Sequence, residues 1–273
     1  MDVVIADNEI VIRLACFFSL FIVLALAEMK FPRRELKVSK LLRWSNNLSM
    51  SVFNSILMKM IFPMAGTGLA IFAFQEKWGV LNSVQLPHWT SVFIYVIFFD
   101  FAIYFQHRLF HFLDPLWRLH RMHHTDLDYD LTTGARFHPV STVISMMIKL
   151  TLVLALGPPV IAVLISEILL NLSSMFNHSN IYIPPRVEPV LRLFVVTPDM
   201  HRVHHSQDDG EHNMNFGFNF PWWDRLFGTY QAQPAAAHAS MDIGIYGFGE
   251  KSSSLFHRML WQPLTNPEEG ISD

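Results

Sequence analysis

The sequence predicts an all-α fold: a multi-pass transmembrane helical bundle with a cytoplasmic, histidine-rich helical cap. Three observations predict it. The 273 residues are 51% hydrophobic and only 16% charged, oilier than an average soluble protein. Several apolar runs reach the ~20 helical residues needed to cross a bilayer core of about 30 Å. There are fourteen histidines, unusually many, and nine of them gather in tight groups just past the ends of those runs.

Residues 10–28 form the first span, with Arg13 near one end where its charge can snorkel. Residues 1–10 are acidic and no small-residue cleavage site follows, so this run is expected to be retained rather than removed as a signal peptide. Residues 49–74 form a second span, and 88–106 a third that carries one acid, Asp100. Residues 140–177 are long enough for two helices, and Gly157, Pro158 and Pro159 break them into a hairpin of two spans. Beyond 178, Pro184, Pro185, Pro189 and Pro198 punctuate a more polar portion that lies against the membrane. In it, Trp222 and Trp223 read as interfacial anchors or core, and residues 254–264 as an amphipathic interfacial helix. The expected division is 1–89 for the N-terminal spans, 90–230 for a catalytic domain, and 231–273 for a cytoplasmic or interfacial tail.

Net charge of −3 hides a local asymmetry, since Lys30, Arg33, Arg34, Lys37, Lys40 and Arg43 crowd one stretch. The positive-inside rule assigns that stretch to the cytoplasm. Counting spans from there brings every histidine group to the same face. No nucleic-acid partner is expected.

A single cysteine, Cys16, excludes an internal disulfide and a thiolate metal cage, so a metal site must rest on histidine. HRLFH at 107–111 places His107 and His111 on one helical face, where they can hold one metal together. HRMHH at 120–124 and HRVHH at 201–205 each pair a first histidine with two more at i+3 and i+4, so each pentad can aim three nitrogens at a small volume. At a histidine frequency near 5%, a random chain of this length holds about 0.03 copies of HxxHH, so two are not chance. Lone histidines such as His88, His238 and His257 read as ordinary surface or core residues.

With His178, the groups supply nine imidazoles, more than the three or four of one zinc, and two metals are implied. Two six-coordinate ions offer twelve positions, leaving about three for water, dioxygen or a bridging oxygen, the openness redox catalysis needs. Ligand type alone leaves iron, copper, nickel and zinc open. A zinc protease would want glutamate where Arg108 stands, and a haem protein needs only one or two axial ligands. A membrane metal carrier or sensor is the rival of another class, although carriers place polar ligands within their spans.

HRLFH, HRMHH, NHSNI at 177–181, TPDMHRVHH at 197–205 and NFGFNFPWWDRLFGTY at 215–230 together resemble the fatty acid hydroxylase and sterol desaturase superfamily of membrane non-haem diiron enzymes. The likeness covers roughly residues 90–230. LTTGARFHP at 131–139, followed by NHSNI and TPDMHRVHH, is also similar to the ether-lipid-cleaving alkylglycerol monooxygenase branch. The resemblance implies that His107, His111, His120, His123, His124, His178, His201, His204 and His205 bind two irons. It also implies a lipid, fatty acyl or sterol-like substrate that is hydroxylated or desaturated with dioxygen. His138, His212 and Asp100 are further candidates as ligands or as supports for ligands. Some relatives carry another histidine pair before the last box, where this chain has only His178, with Ser174 four residues earlier, so a tenth ligand would have to be His138 or a non-histidine donor.

Acids follow both pentads: Asp126, Asp128 and Asp130 after the first, and Asp208, Asp209 and Glu211 after the second. They can orient imidazoles, but a solvated loop is the favoured reading. Asp100, costly in lipid, is expected to pair with Arg108 or a ligand histidine. An aliphatic C–H bond is unpolarised, so acid–base chemistry cannot break it. Since no GxGxxG turn, flavin site or cysteine cluster is present, electrons from NAD(P)H are expected through a separate haem or iron–sulfur carrier docking near the basic face or the C-terminal portion.

Overall fold

A computed structural model describes residues 2–64, 66–249 and 251–266. Among them the chain is helical throughout, with no strand and only two isolated bridges, Pro32 with Ile181 and Ser206 with Ile243. Five segments are long and apolar enough to cross a membrane: Ala6–Lys30, Lys40–Ser83, His88–Phe112, Pro139–Leu156 and Val160–Asn177.

Helix α1 (Asp2–Lys30) is longer than the predicted run and almost wholly unburied, with Val11, Val23 and Met29 exposed. Such a face is stable only where the solvent is hydrocarbon. Ser39 caps α2 (Lys40–Ile61) by accepting the Leu42 N–H. The single span expected over 49–74 is instead broken. α2 closes with the Phe62 N–H donating to Met58 O, Pro63 supplies no amide donor to continue the ladder, and α3 (Gly66–Gln75) starts afresh.

α3 packs on the last two spans and runs on, through the short α4 (Val80–Ser83), toward the turn between them. There Gly157 (φ 60°) ends α7, and a Cβ on it would lie 2.2 Å from Trp78 O, so glycine is required on both conformational and steric grounds.

α5 (His88–Phe112) returns and is followed by α6 (Asp114–His124), which begins at Asp114 and Pro115. α7 (Pro139–Leu156) and α8 (Val160–Asn177) form the predicted hairpin. Short helices α9 (Glu188–Leu191), α10 (Pro198–His204), α11 (Trp222–Leu226) and α12 (Phe256–Trp261) follow. The apolar core lies where α3, α5, α7 and α8 meet, around Tyr95, Phe99, Val153 and Val163.

The ends of α1, α5 and α8 that carry Lys30, His107 and Asn177 lie together. Arg33 N–H donates to Asn180 O (2.9 Å) and Tyr182 N–H to Phe31 O (2.8 Å), fastening the basic connector beside His178. Most of that connector's cations are engaged, while Lys30 and Lys37 stay exposed. Arg33 pairs with Asp199, Lys37 with Asp242, Lys40 with Glu28, and Arg43 with Asp126 and Asp130, while Arg34 donates to Met241 O. The predicted interfacial helix also has an inward side, because Met259 of α12 is buried against Met50 and Met122 while Trp261 stays exposed.

Candidate metal centre

The nine box histidines converge into two abutting groups. His107, His111, His120, His124 and His204 form one, and His123, His178, His201 and His205 the other, with the candidate ligand atoms of each group within 4.8 Å of one another. The rings of His124 and His205 stack across the boundary at 4.3 Å. All are buried except His111, which is partly exposed.

The pentads do not each serve one site. Positions i and i+4 share a helical face while i+3 diverges, so His120 and His124 turn to the five-histidine group and His123 to the other. In the second pentad His201 and His205 stay together and His204 crosses over.

Ring tautomers follow from backbone partners. Nδ1–H of His107 donates to Phe216 O (2.9 Å), of His123 to Arg136 O (3.1 Å), of His178 to Ser174 O (2.7 Å) and of His204 to Met214 O (2.8 Å). In a neutral ring the Nε2 is then a bare lone pair. Yet His107 Nε2 sits 3.0 Å from His204 Nε2, and His123 Nε2 sits 3.0 Å from His178 Nε2. Lone pairs facing at that distance repel unless a cation lies between them. Neighbouring ligands in an octahedron with metal–nitrogen bonds of 2.0–2.1 Å stand about 3.0 Å apart, so the spacing fits a metal on geometric grounds too. Nε2 of His111 and His124 is buried with no partner among the described residues.

Burial holds His120, His123, His124, His201, His204 and His205 well below the ordinary imidazole range, helped by repulsion among the rings. His178 is pushed down to about 3, again by burial. The rings outside the spans are therefore neutral at pH 7, the form a metal needs.

The remaining candidates lie elsewhere. His138 caps α7, its Nδ1 accepting the Val140 N–H while Nε2–H donates to Leu260 O (3.2 Å), so both ring nitrogens are occupied. His212 stacks on Trp117 and approaches Asp208 O and Asn213, outside both groups. Ser174 contributes its carbonyl to His178 and its hydroxyl to Gly134 O.

Asp100 forms neither expected pair. It accepts the Trp223 indole N–H (2.8 Å) and the Asn219 N–H (3.2 Å), while Arg108 lies against the rings of Tyr104, Phe105 and Phe112.

The acids after the first pentad are not solvated. Asp126, Asp128 and Asp130 are fully buried, but their partners are not imidazoles. Asp126 binds the Arg43 guanidinium at 2.7 and 2.9 Å and accepts from Thr133, Asp130 also binds Arg43, and Asp128 accepts the Lys37 and Val38 N–H groups. Burial pushes the Asp126 carboxyl up, but Arg43 outweighs it and holds the group well below the usual carboxylate range. After the second pentad, Asp208 and Asp209 are exposed as expected, and Glu211 is buried against the Ala235 N–H.

Sequence reading missed Asp224, which accepts the Phe216 and Gly217 N–H groups (2.8 Å each) and the Thr229 hydroxyl. It thereby fixes the carbonyl that orients His107. The WDRLFGTY stretch signalled its presence but not this role.

A cavity of about 360 Å³ opens beside His107 and His120, walled there by Phe110, Phe137 and Phe218, and runs between α2, α7 and α8. Its size is that of a small-molecule pocket.

Comparisons with known proteins find similar chains. An ornithine lipid hydroxylase of Rhizobium tropici is 32% identical over 181 residues, 66% of this chain and 52% of that protein. The human alkylglycerol monooxygenase is 32% identical over 146 residues, 53% of this chain and 31% of that protein. A very-long-chain aldehyde decarbonylase of Oryza sativa is 26% identical over 155 residues, 55% and 58% of the two chains. The chain thus spans about half the length of the first of these relatives and about a third of the second. No solved structure matches significantly. The profile of the fatty acid hydroxylase family covers residues 92–229, the stretch holding all nine clustered histidines, and the chain belongs to that family.

Proposed function

We propose that the chain is an integral membrane diiron oxygenase that inserts oxygen into a lipid, fatty acyl or sterol-like substrate. The reading is carried by one observation: two abutting groups of five and four imidazoles, in which two pairs of rings with fixed tautomers aim bare Nε2 lone pairs at one another 3.0 Å apart. Two irons held by the nine histidines would supply the dioxygen activation that an unpolarised C–H bond requires. The relatives named for lipid hydroxylation and alkylglycerol oxidation support a lipid substrate.

In this reading the chain's own residues bind, orient and exclude. Backbone carbonyls of Phe216, Arg136, Ser174 and Met214 hold the imidazoles in the ligating tautomer. Phe110, Phe137 and Phe218 keep the cavity end beside His107 and His120 apolar, so a hydrocarbon segment is favoured there over water. Residues 90–230 are the catalytic portion. The metal centre faces the cytoplasm, a placement supported by the basic connector beside His178 and the positive-inside rule. Electrons arrive from NAD(P)H through a separate carrier. With Arg33, Arg34, Lys40 and Arg43 engaged internally, Lys30 and Lys37 are the exposed cations that this connector offers such a carrier, next to the C-terminal portion.

Purified protein tests the reading. It is expected to hold about two irons and to place labelled oxygen from dioxygen into an extracted lipid, as nine imidazoles around two open ions require. Reversible metal flux without oxygen consumption would instead make it a carrier or sensor.

A further inference from the structure

Among the spans, a second cavity of about 400 Å³ is lined by Glu9, Arg13, Lys59, Lys149 and Glu167. Five ionisable side chains in such a place are expensive and mark a site by default. Arg13 spans both acids, to Glu9 at 2.6 Å and Glu167 at 2.5 Å, and Thr67 donates to Glu9. Lys149 reaches Glu167 only at 3.7 Å, and Lys59 has no ion-pair partner among the described residues. Three cations against two carboxylates leave the site one positive charge in excess, with the exposed Lys59 ammonium free to take an anion and Lys149 only loosely paired beside it.

This cavity adjoins the one at the histidines: Met58, Met146, Lys149, Leu170 and Asn171 line both. Hydroxyls of Ser55, Ser141, Thr142 and Ser174 turn onto backbone carbonyls, which leaves Asn54, Gln106 and Asn171 among the polar side chains in otherwise largely apolar walls. Lys149 stands ten residues into α7, about 15 Å of helix rise from the histidine end, half a hydrocarbon core of about 30 Å.

We propose that the joined cavity binds a single-chain amphiphile tail-first, its anionic end group, a carboxylate or phosphate, held by Lys149 and Lys59 and its hydrocarbon tail extending to His107 and His120. The charged end then acts as a stop that sets which carbon lies beside the histidines, far from the head group. This rests on the oxygenase reading for its meaning but not for its measurement.

Binding is measured on the full chain in nanodiscs of uncharged lipid, by displacement of a fluorescent fatty acid, with palmitate, hexadecyl phosphate and uncharged hexadecanol as competitors. Wild type is expected to prefer at least one of the two anions over hexadecanol by at least about tenfold, as close charge pairs out of water do. Lys59→Met with Lys149→Met should abolish the preference while leaving hexadecanol binding unchanged. Glu167→Gln removes a competing carboxylate and should strengthen anion binding, a gain that misfolding cannot mimic. Equal affinity for the anions and hexadecanol in wild type, or a preference that survives the double substitution, overturns the proposal. Palmitate binding without hexadecyl phosphate binding, or the reverse, identifies which anion the site takes. Iron content is assayed in parallel. Loss of the anion preference with two irons present sinks this site alone, and absence of iron with the preference intact sinks the oxygenase reading alone.

Discussion

Substituting Arg43 by Met isolates what the acids after HRMHH do. Arg43 is 0% exposed, chelates Asp126 at 2.7 and 2.9 Å, binds Asp130, and donates to Thr133 at 3.0 Å. Methionine keeps much of the volume but leaves two buried carboxylates without their cation. Breaking a buried pair this way costs about 3–5 kcal/mol. For a chain of this size that lowers the thermal midpoint by roughly 6–20 °C. The assay is thermal unfolding of the purified protein in detergent, followed by tryptophan fluorescence across a pH series.

The sign with pH is fixed by the Asp126 shift. Its folded value lies below the ordinary one, so its contribution is full above about pH 4 and fades as pH falls through the folded value. The gap between wild type and Arg43→Met should therefore narrow in acid. Adding Asp126→Asn and Asp130→Asn to Arg43→Met should recover most of the loss, since no charge is then stranded. A midpoint shift below about 2 °C at pH 7, where exposed pairs worth under 1 kcal/mol would fall, refutes the argument.

Asp224→Asn presents an amide N–H₂ to one of two backbone donors, Phe216 or Gly217, a cost of about 1–3 kcal/mol. Because Phe216 O orients His107, metal content measured by elemental analysis should fall, whereas unchanged content would separate this loop from the centre. His138→Ala should lose only a helix cap, about 1 kcal/mol, and keep its metal, whereas His123→Ala should lose metal from the four-histidine group; equal losses would make His138 a ligand after all. Burial keeps the clustered imidazoles neutral, so calorimetry in buffers of different ionisation enthalpy should find less than about one proton released per metal at pH 7, and several released would contradict the lowered values. In the metal-free protein these depressed histidines contribute stability that is full above about pH 6.5 and lost as pH falls, so acid should unfold it more readily than the loaded form.

Much of this was legible in the sequence, because hydropathy and helical spacing act locally. Run length gave the spans, Gly157 and Pro159 gave the hairpin, and span counting brought His107, His120, His178 and His201 to one end. What escaped depends on contacts between distant segments. Pro63 broke a run whose hydropathy alone looked continuous. Asp126 and Asp130 looked like solvent-facing acids because their cation, Arg43, lies some 80 residues away in a stretch that read as a basic surface. Asp100 found an indole and a backbone amide from the 219–223 loop, groups no charge pattern advertises.

The same distinction explains why the centre is double. HxxHH on a helix cannot gather three nitrogens at one point, since i+3 and i+4 lie about 100° apart around the axis. Two such pentads packed with α5 and His178 therefore make two neighbouring sites rather than one crowded one, each pentad contributing to both. Holding two diverging faces in register demands a rigid segment after each pentad. Behind the first it is supplied by the Arg43–Asp126–Asp130 network, from whose loop Arg136 O orients His123. Behind the second it is supplied by Asp224, which fixes Phe216 beside His107, with Met214 O on His204. The carboxylates act one contact removed from the histidines, steadying the segments whose carbonyls choose the tautomers of His107 and His123. That arrangement leaves the Nε2 lone pairs of His107, His123, His178 and His204 free for a metal while keeping carboxylates out of hydrogen-bonding contact with those rings.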